Sequence, residues 1–129
     1  MKMNNKKITP TAGELEILNV LWVKQPLTVK EIHEQLSATK EVGYTTTLKI
    51  MQNMYNKGLL HREPNGKSHL YSAAFQQSET QGKLLDRFLE STFSGSASSL
   101  VMQLLGNKKT SQKELDEIKR IIQQMESQQ

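Results

Sequence analysis

The chain has 129 residues, a net charge of +4 and no cysteine. That length suits one compact unit or two small ones, and the missing cysteine excludes disulfides, thiolate metal sites and cysteine nucleophiles. Met1 to Lys7 is polar and lacks the apolar stretch of a signal peptide, and no apolar run approaches the roughly 18 residues of a membrane span, so a cytoplasmic protein without membrane insertion is expected.

The charge is unevenly placed. Residues 1–75 hold ten Lys/Arg against six Asp/Glu, whereas residues 76–129 hold seven of each. A basic part joined to a neutral part is the pattern of a DNA-binding domain followed by a dimerisation domain.

Helix starts are well marked. Thr11-x-x-Glu14 reads as a capping box ahead of Leu15, Ile17, Leu18, Leu21 and Trp22. Trp22 is expected in the core, and Pro26 closes the segment. Thr28-x-x-Glu31 is a second box, with Leu27 and Ile32 at the spacing of a hydrophobic staple. Val29, Ile32 and Leu36 form the apolar face of this second helix, which should stop near Ser37–Lys40.

The third helix is expected from Gly43 to about Lys57. At about 100° per residue, Tyr44, Leu48, Met51, Met54 and Tyr55 gather on one side with Thr47, a side expected to pack into the core, and Ile50 lies at the edge. Thr45, Thr46, Lys49, Gln52, Asn53 and Asn56 gather on the other, which carries no acid. Phosphate repels carboxylate, so an acid-free polar face suits contact with DNA. Gln52 and Asn53 can hydrogen-bond adenine edges, Lys49 can meet guanine or phosphate, and the threonine methyls can pack on thymine. Near the helix start, Thr45 or Thr46 can instead cap the helix or meet phosphate through backbone N–H groups.

Gly58 has the place of a C-cap glycine. Two short extended runs flank Asn65-Gly66, a local hairpin signal. On this hairpin Arg62, Lys67, Ser68 and His69 can meet phosphates or the minor groove. Of the three histidines, His33, His61 and His69, the last two flank the hairpin and make a metal site conceivable, but no acid or Cys cluster completes one; surface histidines and no metal are expected. The methionines are expected mostly as core filler. No catalytic or phosphate-loop motif occurs, so neither an enzyme nor a cofactor is indicated.

The remainder is helical. Gln77 to Phe93 carries Leu84, Leu85, Phe88 and Leu89 at helical spacing. Ser94 to Ser99 is a small-residue break, either a loop or a helix entry. Leu100, Val101, Leu104 and Leu105 follow, ended by Gly106-Asn107. Ser111-x-x-Glu114, a third capping box, opens a helix with Leu115, Ile118, Ile121, Ile122 and Met125. Short amphipathic helices cannot bury such stripes alone. The same region of a second chain is the favoured partner; packing back on the N-terminal domain is the alternative.

Three stretches resemble the penicillinase-repressor (BlaI/MecI) family of bacterial transcriptional regulators. They are Thr11-x-x-Glu14-x-Glu16-Ile17-Leu18-x-x-Leu21-Trp22, then Tyr44-Thr45-Thr46 through Tyr55-x-Lys57-Gly58-Leu59-Leu60, and the wing ending in Tyr71 before an all-helical tail. The resemblance covers nearly the whole chain from Ile8. The order helix, helix, helix, β-hairpin, with an amphipathic third helix and a basic hairpin, already reads as a winged helix-turn-helix; the resemblance implies the same mainly α fold with a small β-hairpin, a winged helix-turn-helix domain over 8–75 and a helical dimerisation domain over 76–129. It also implies a homodimeric repressor on a palindromic operator of double-stranded DNA, with half-site centres about one helical turn apart. Matching the family's recognition helix singles out Thr45, Thr46, Lys49 and Gln52.

Family members are typically inactivated when a membrane-bound sensor protease, triggered by a β-lactam, leads to a cut in the C-terminal region at an Asn–Phe bond after Ser-Leu-Val. Here Ser99-Leu100-Val101 is present, but the matching bond is Gln103-Leu104, a departure from that pattern. The copper-responsive branch uses clustered C-terminal cysteines, which this chain lacks. Two alternatives share the winged helix: a regulator with a small-molecule effector between its domains, and a module used only for protein contact. The latter has no need of an acid-free recognition face.

Overall fold

The computed structural model describes residues 9–107 and 109–129, except the side chain of Asn107. The polar segment Met1–Lys7, the expected domain start at Ile8, and Lys108 lie outside the described residues. The element order is α1 (Ala12–Val23), α2 (Val29–Ser37), α3 (Tyr44–Asn56), β1 (Leu60–Asn65), β2 (Ser68–Ala73), α4 (Gln77–Phe93), α5 (Ala97–Asn107) and α6 (Gln112–Ser127). Among the described residues the fold is mainly α with one antiparallel hairpin. The chain divides into two compact units, the first ending at Leu85 and the second starting at Asp86, within α4.

In the first unit the helix starts follow local chemistry. Thr11 and Thr28 each accept from the backbone N–H three residues on, while Glu14 and Glu31 return the bond to the cap N–H. Each such cap typically stabilises by about 1 kcal/mol. Leu27 and Ile32 are both buried, as the staple requires. At the end of α3 the Leu59 N–H donates to Met54 O and the Gly58 N–H to Tyr55 O. This is a Schellman motif, and Gly58 supplies its left-handed residue at φ +85°. The motif turns the chain directly from α3 into β1.

The core of this unit combines Ile17, Leu18 and Leu21 of α1 with Ile32 and Leu36 of α2, Met51 and Met54 of α3, and Leu59, Leu60 and Tyr71 around the hairpin. Fully burying one such aliphatic side chain contributes about 1.5–3 kcal/mol. Leu27 and Tyr71 exchange two backbone hydrogen bonds, 2.9 and 2.7 Å. This bridge places the α1–α2 connection beside β2. Gln25 extends the edge by accepting from Ala73 N–H through its side-chain oxygen. A one-residue pairing is invisible to a search for alternating strands, so it was not expected from sequence.

Several expectations need correction. Tyr44 and Tyr55 do not join the core: they are 46 % and 36 % exposed, because they sit on the flank of α3 rather than its inner stripe. Trp22 is only half-buried; it packs against the core while its indole N–H donates to Phe75 O at 3.0 Å. A polar ring nitrogen keeps that edge at a carbonyl. Met51 and Met54 fill the core, but Met102 and Met125 are exposed, and Met1 and Met3 lie outside the described residues. The hairpin loop is Gly66-Lys67, since Asn65 already pairs with Ser68. Gly66 takes φ +63° there, a conformation that favours glycine.

In the second unit Ser96 caps α5, accepting from Ser99 N–H, so the small-residue stretch is both loop and helix entry. Ser111 forms one half of its box, accepting from Glu114 N–H. Phe88 and Phe93 meet edge to face at 5.8 Å between centroids. No described side chain after Thr80 is buried.

One ion pair ties the first and third helices. Lys57 Nζ lies 2.6 Å from Glu14 Oε2, and the Glu14 carboxylate is buried while Lys57 is half-exposed. Burial raises the Glu14 pKa, but hydrogen bonds from Lys57, from the Thr11 N–H and from the Thr11 hydroxyl, with the Lys57 charge, bring it below its ordinary value. A carboxyl lowered on folding contributes stability that is complete above its unfolded pKa and is lost as pH falls through the folded one. Glu14→Gln should therefore cost about 1–2 kcal/mol at neutral pH. Its urea midpoint should fall less than the wild type's as pH is lowered below the ordinary glutamate range; equal acid sensitivity would refute this role for the pair.

Candidate nucleic-acid interface

The orientation of α3 is set by what it buries. Thr47, Met51 and Met54 have no exposed surface. Residues on the opposite side are consequently turned out: Thr45, Thr46, Lys49, Gln52 and Asn53 are all exposed. No side-chain hydrogen bond or ion pair engages them among the described residues. The face carries hydroxyls, amides and one ammonium, and no carboxylate. Chemically it offers donors and acceptors for base edges and positive charge for phosphate.

A second device steadies this helix. His33 of α2 places Nδ1 3.0 Å from Thr47 Oγ1 and Nε2 3.2 Å from Ser37 Oγ. Its ring also meets the edge of Tyr44, centroids 5.5 Å apart. The buried Thr47 hydroxyl is thereby satisfied, and α2 is keyed to the first turns of α3. Sequence reasoning treated His33 as one surface histidine among three. Its spacing from Thr47 carries no local signal, because the partners lie on different helices.

The hairpin wing stands beside α3. Lys67 is in the loop, the Ser68 hydroxyl donates to Asn65 O at 3.0 Å, and the His69 ring lies near Tyr71 at 6.1 Å between centroids. Arg62 rises from β1 over the Tyr55 ring of α3, 3.7 Å from its centroid. The register pairs His61 with Ser72 and His69 with Pro64, so the two hairpin histidines are not cross-strand neighbours. Among the described residues no group of three His, Asp or Glu is placed to hold a metal ion, and no helix is long and apolar enough to cross a membrane.

A cleft of about 470 Å³ lies between α3, the wing and the start of α2. It brings Gln52 together with Arg62, Lys67, Ser68 and His69. Thr45, Thr46, Lys49 and Asn53 are not part of its wall. The cleft adds Lys30 and Tyr44, which sequence reasoning did not select, and no Asp or Glu lines it. Lys30 lacked a signal because only folding carries the start of α2 to the wing. Gln103 and Leu104 are far along the sequence, exposed within α5.

Three helices followed by a hairpin wing, with an acid-free exposed face on the third helix, define a winged helix-turn-helix of the kind used by transcriptional regulators. The chain belongs to the penicillinase repressor family, whose model matches residues 10–124. The chain is 25 % identical over 120 residues to methicillin resistance regulatory protein MecI of Staphylococcus aureus strain N315, spanning 93 % of this chain and 98 % of that one. It is equally identical over 120 residues to a penicillinase repressor of Staphylococcus aureus, spanning 93 % and 95 %. Transcriptional regulator BlaI of Mycobacterium tuberculosis strain H37Rv shares 26 % over 119 residues, spanning 89 % and 85 %. The family is one of transcriptional repressors, not enzymes.

Removing the His33 ring should loosen the first turns of α3. His33→Ala is expected to cost about 1–2 kcal/mol and to speed amide exchange at Thr47 and Leu48 more than in α1, as measured by hydrogen exchange. Uniform exchange acceleration across all three helices would contradict a local tie.

Proposed function

We propose that this protein is a homodimeric repressor that reads a palindromic operator with α3 and grips the flanking backbone with the wing. The observation that carries this is the exposed, acid-free face of α3. Thr45, Thr46, Lys49, Gln52 and Asn53 enter the major groove, with Gln52 and Asn53 as the amides suited to adenine. Arg62, Lys67, Ser68 and His69 meet phosphate or the minor groove, positioning the head without reading sequence. No catalysis or cofactor takes part; occupancy of the operator blocks transcription.

The helical segment 76–129 supplies the dimer in this proposal. Phe88, Val101, Leu104, Ile121 and Ile122 are each 44–56 % exposed in the single chain. Leu84, Leu85, Leu89, Leu100, Leu105, Leu115 and Ile118 extend the same apolar stripes along α4, α5 and α6. A matching surface on a second copy would cover them. Relief of repression follows from loss of that dimer, since one head makes half of the contacts. A sensor protease cutting at Gln103-Leu104 would separate α6 from the rest. Both residues sit mid-helix, so cleavage requires local opening of α5.

The test is titration of a labelled duplex from the upstream region of its own gene, across a salt series. Two protomers per site and steep salt dependence are expected. Gln52→Ala should lose about 1–3 kcal/mol on that duplex and little on a scrambled one. Equal binding to both duplexes, unaffected by Gln52→Ala, would leave only generic attraction and favour a protein-contact module. Ile121→Asp with Ile122→Asp should shift sedimentation equilibrium to the monomer and weaken operator binding; a variant that remains dimeric would remove α6 from the interface.

A further inference from the structure

Arg62 lies opposite the buried Tyr71 in the hairpin, and its guanidinium covers the ring of Tyr55 in the last turn of α3. The two ion pairs among the described residues are Lys57–Glu14 and Lys40–Glu16, so Arg62 has no carboxylate partner there. Its neighbour Glu63 pairs with Leu70, which puts it on the other face of the strand.

How Arg62 is held decides what it can still do. A carboxylate would orient it by occupying its edge N–H donors and cancelling its charge. An aromatic ring orients it through the flat face alone. The charge remains, and the donors at the guanidinium edge stay open to an external acceptor. Arg62 shares its cleft with Lys30, Lys67 and His69, and no carboxylate lines that space. An acceptor drawn there is an anion with oxygens suited to guanidinium, and a DNA backbone phosphate has that chemistry.

We propose that Tyr55 is a positioning residue for DNA binding: its ring holds the Arg62 guanidinium edge-on to a backbone phosphate of a strand crossing the cleft. The stack also couples the wing to the end of α3, so the phosphate contact and the base-reading face form one preset unit. Flexible arginine would otherwise lose rotamer freedom on each encounter, and the ring removes part of that cost beforehand. This inference rests on the DNA-reading function proposed above.

The experiment is a double-variant cycle on the full chain, measuring affinity for the upstream duplex and its salt dependence. Arg62→Gln should weaken binding and make the slope of log K against log salt shallower by about 0.9, the value of one phosphate contact. Tyr55→Leu should weaken binding about two- to five-fold. The combined variant should bind no more weakly than Arg62→Gln, because Tyr55 acts only through Arg62. Tyr55→Phe, which keeps the ring, should match the wild type. Losses that multiply in the combined variant overturn the inference, as does Arg62→Gln that binds like wild type or Tyr55→Phe that binds like Tyr55→Leu. In each of those cases a wild type that still discriminates its operator leaves the DNA function standing. A wild type that binds no duplex removes that function and this inference together.

Discussion

Burying Thr47, Met51 and Met54 fixes the rotation of α3 about its own axis. A helix that must bury one stripe has no freedom over what the opposite stripe presents. Turning α3 by a quarter would expose one of the two methionines and carry Gln52 or Asn53 inward, at a cost of about 1.5–3 kcal/mol for the lost burial alone. Thr47 adds a polar constraint inside the apolar one. Its buried hydroxyl needs partners: it donates to Gly43 O at the start of the same helix, and His33 meets it from α2.

The wing depends on the same helix. The Schellman turn at Gly58 launches β1 from the end of α3, and the Leu27–Tyr71 bridge holds β2 to the α1–α2 connection. β1 is thus the outer strand, where Pro64 is tolerated because no further neighbour needs its missing N–H. Glu14 and Lys57 lock the start of α1 to the end of α3. The first unit is therefore a closed frame, in which each part that faces outward is fixed by a part that faces in.

The helical segment from α4 to α6 obeys a different balance. Its helices are well formed and capped, yet large apolar side chains remain exposed along them. Three helices totalling so few residues have little interior to offer. In the proposed function a second copy covers these stripes. The family to which the chain belongs is one of repressors.

Local chemistry was readable from the order of residues. The capping boxes at Thr11 and Thr28, the staple of Leu27 and Ile32, Gly58 at the helix end and the periodicity of α3 each involve residues within one or two turns. Such interactions depend on sequence spacing, so spacing reveals them. Thr45, Thr46, Lys49, Gln52 and Asn53 were located as one exposed face for that reason. The tertiary structure alone decided what distant segments do together. It moved Tyr44 and Tyr55 from core to flank, placed Arg62 on the Tyr55 ring, joined His33 to Thr47 and brought Lys30 to the wing. Those partners lie on different elements, and their meeting depends on how helices and hairpin dock, for which a helical period holds no information.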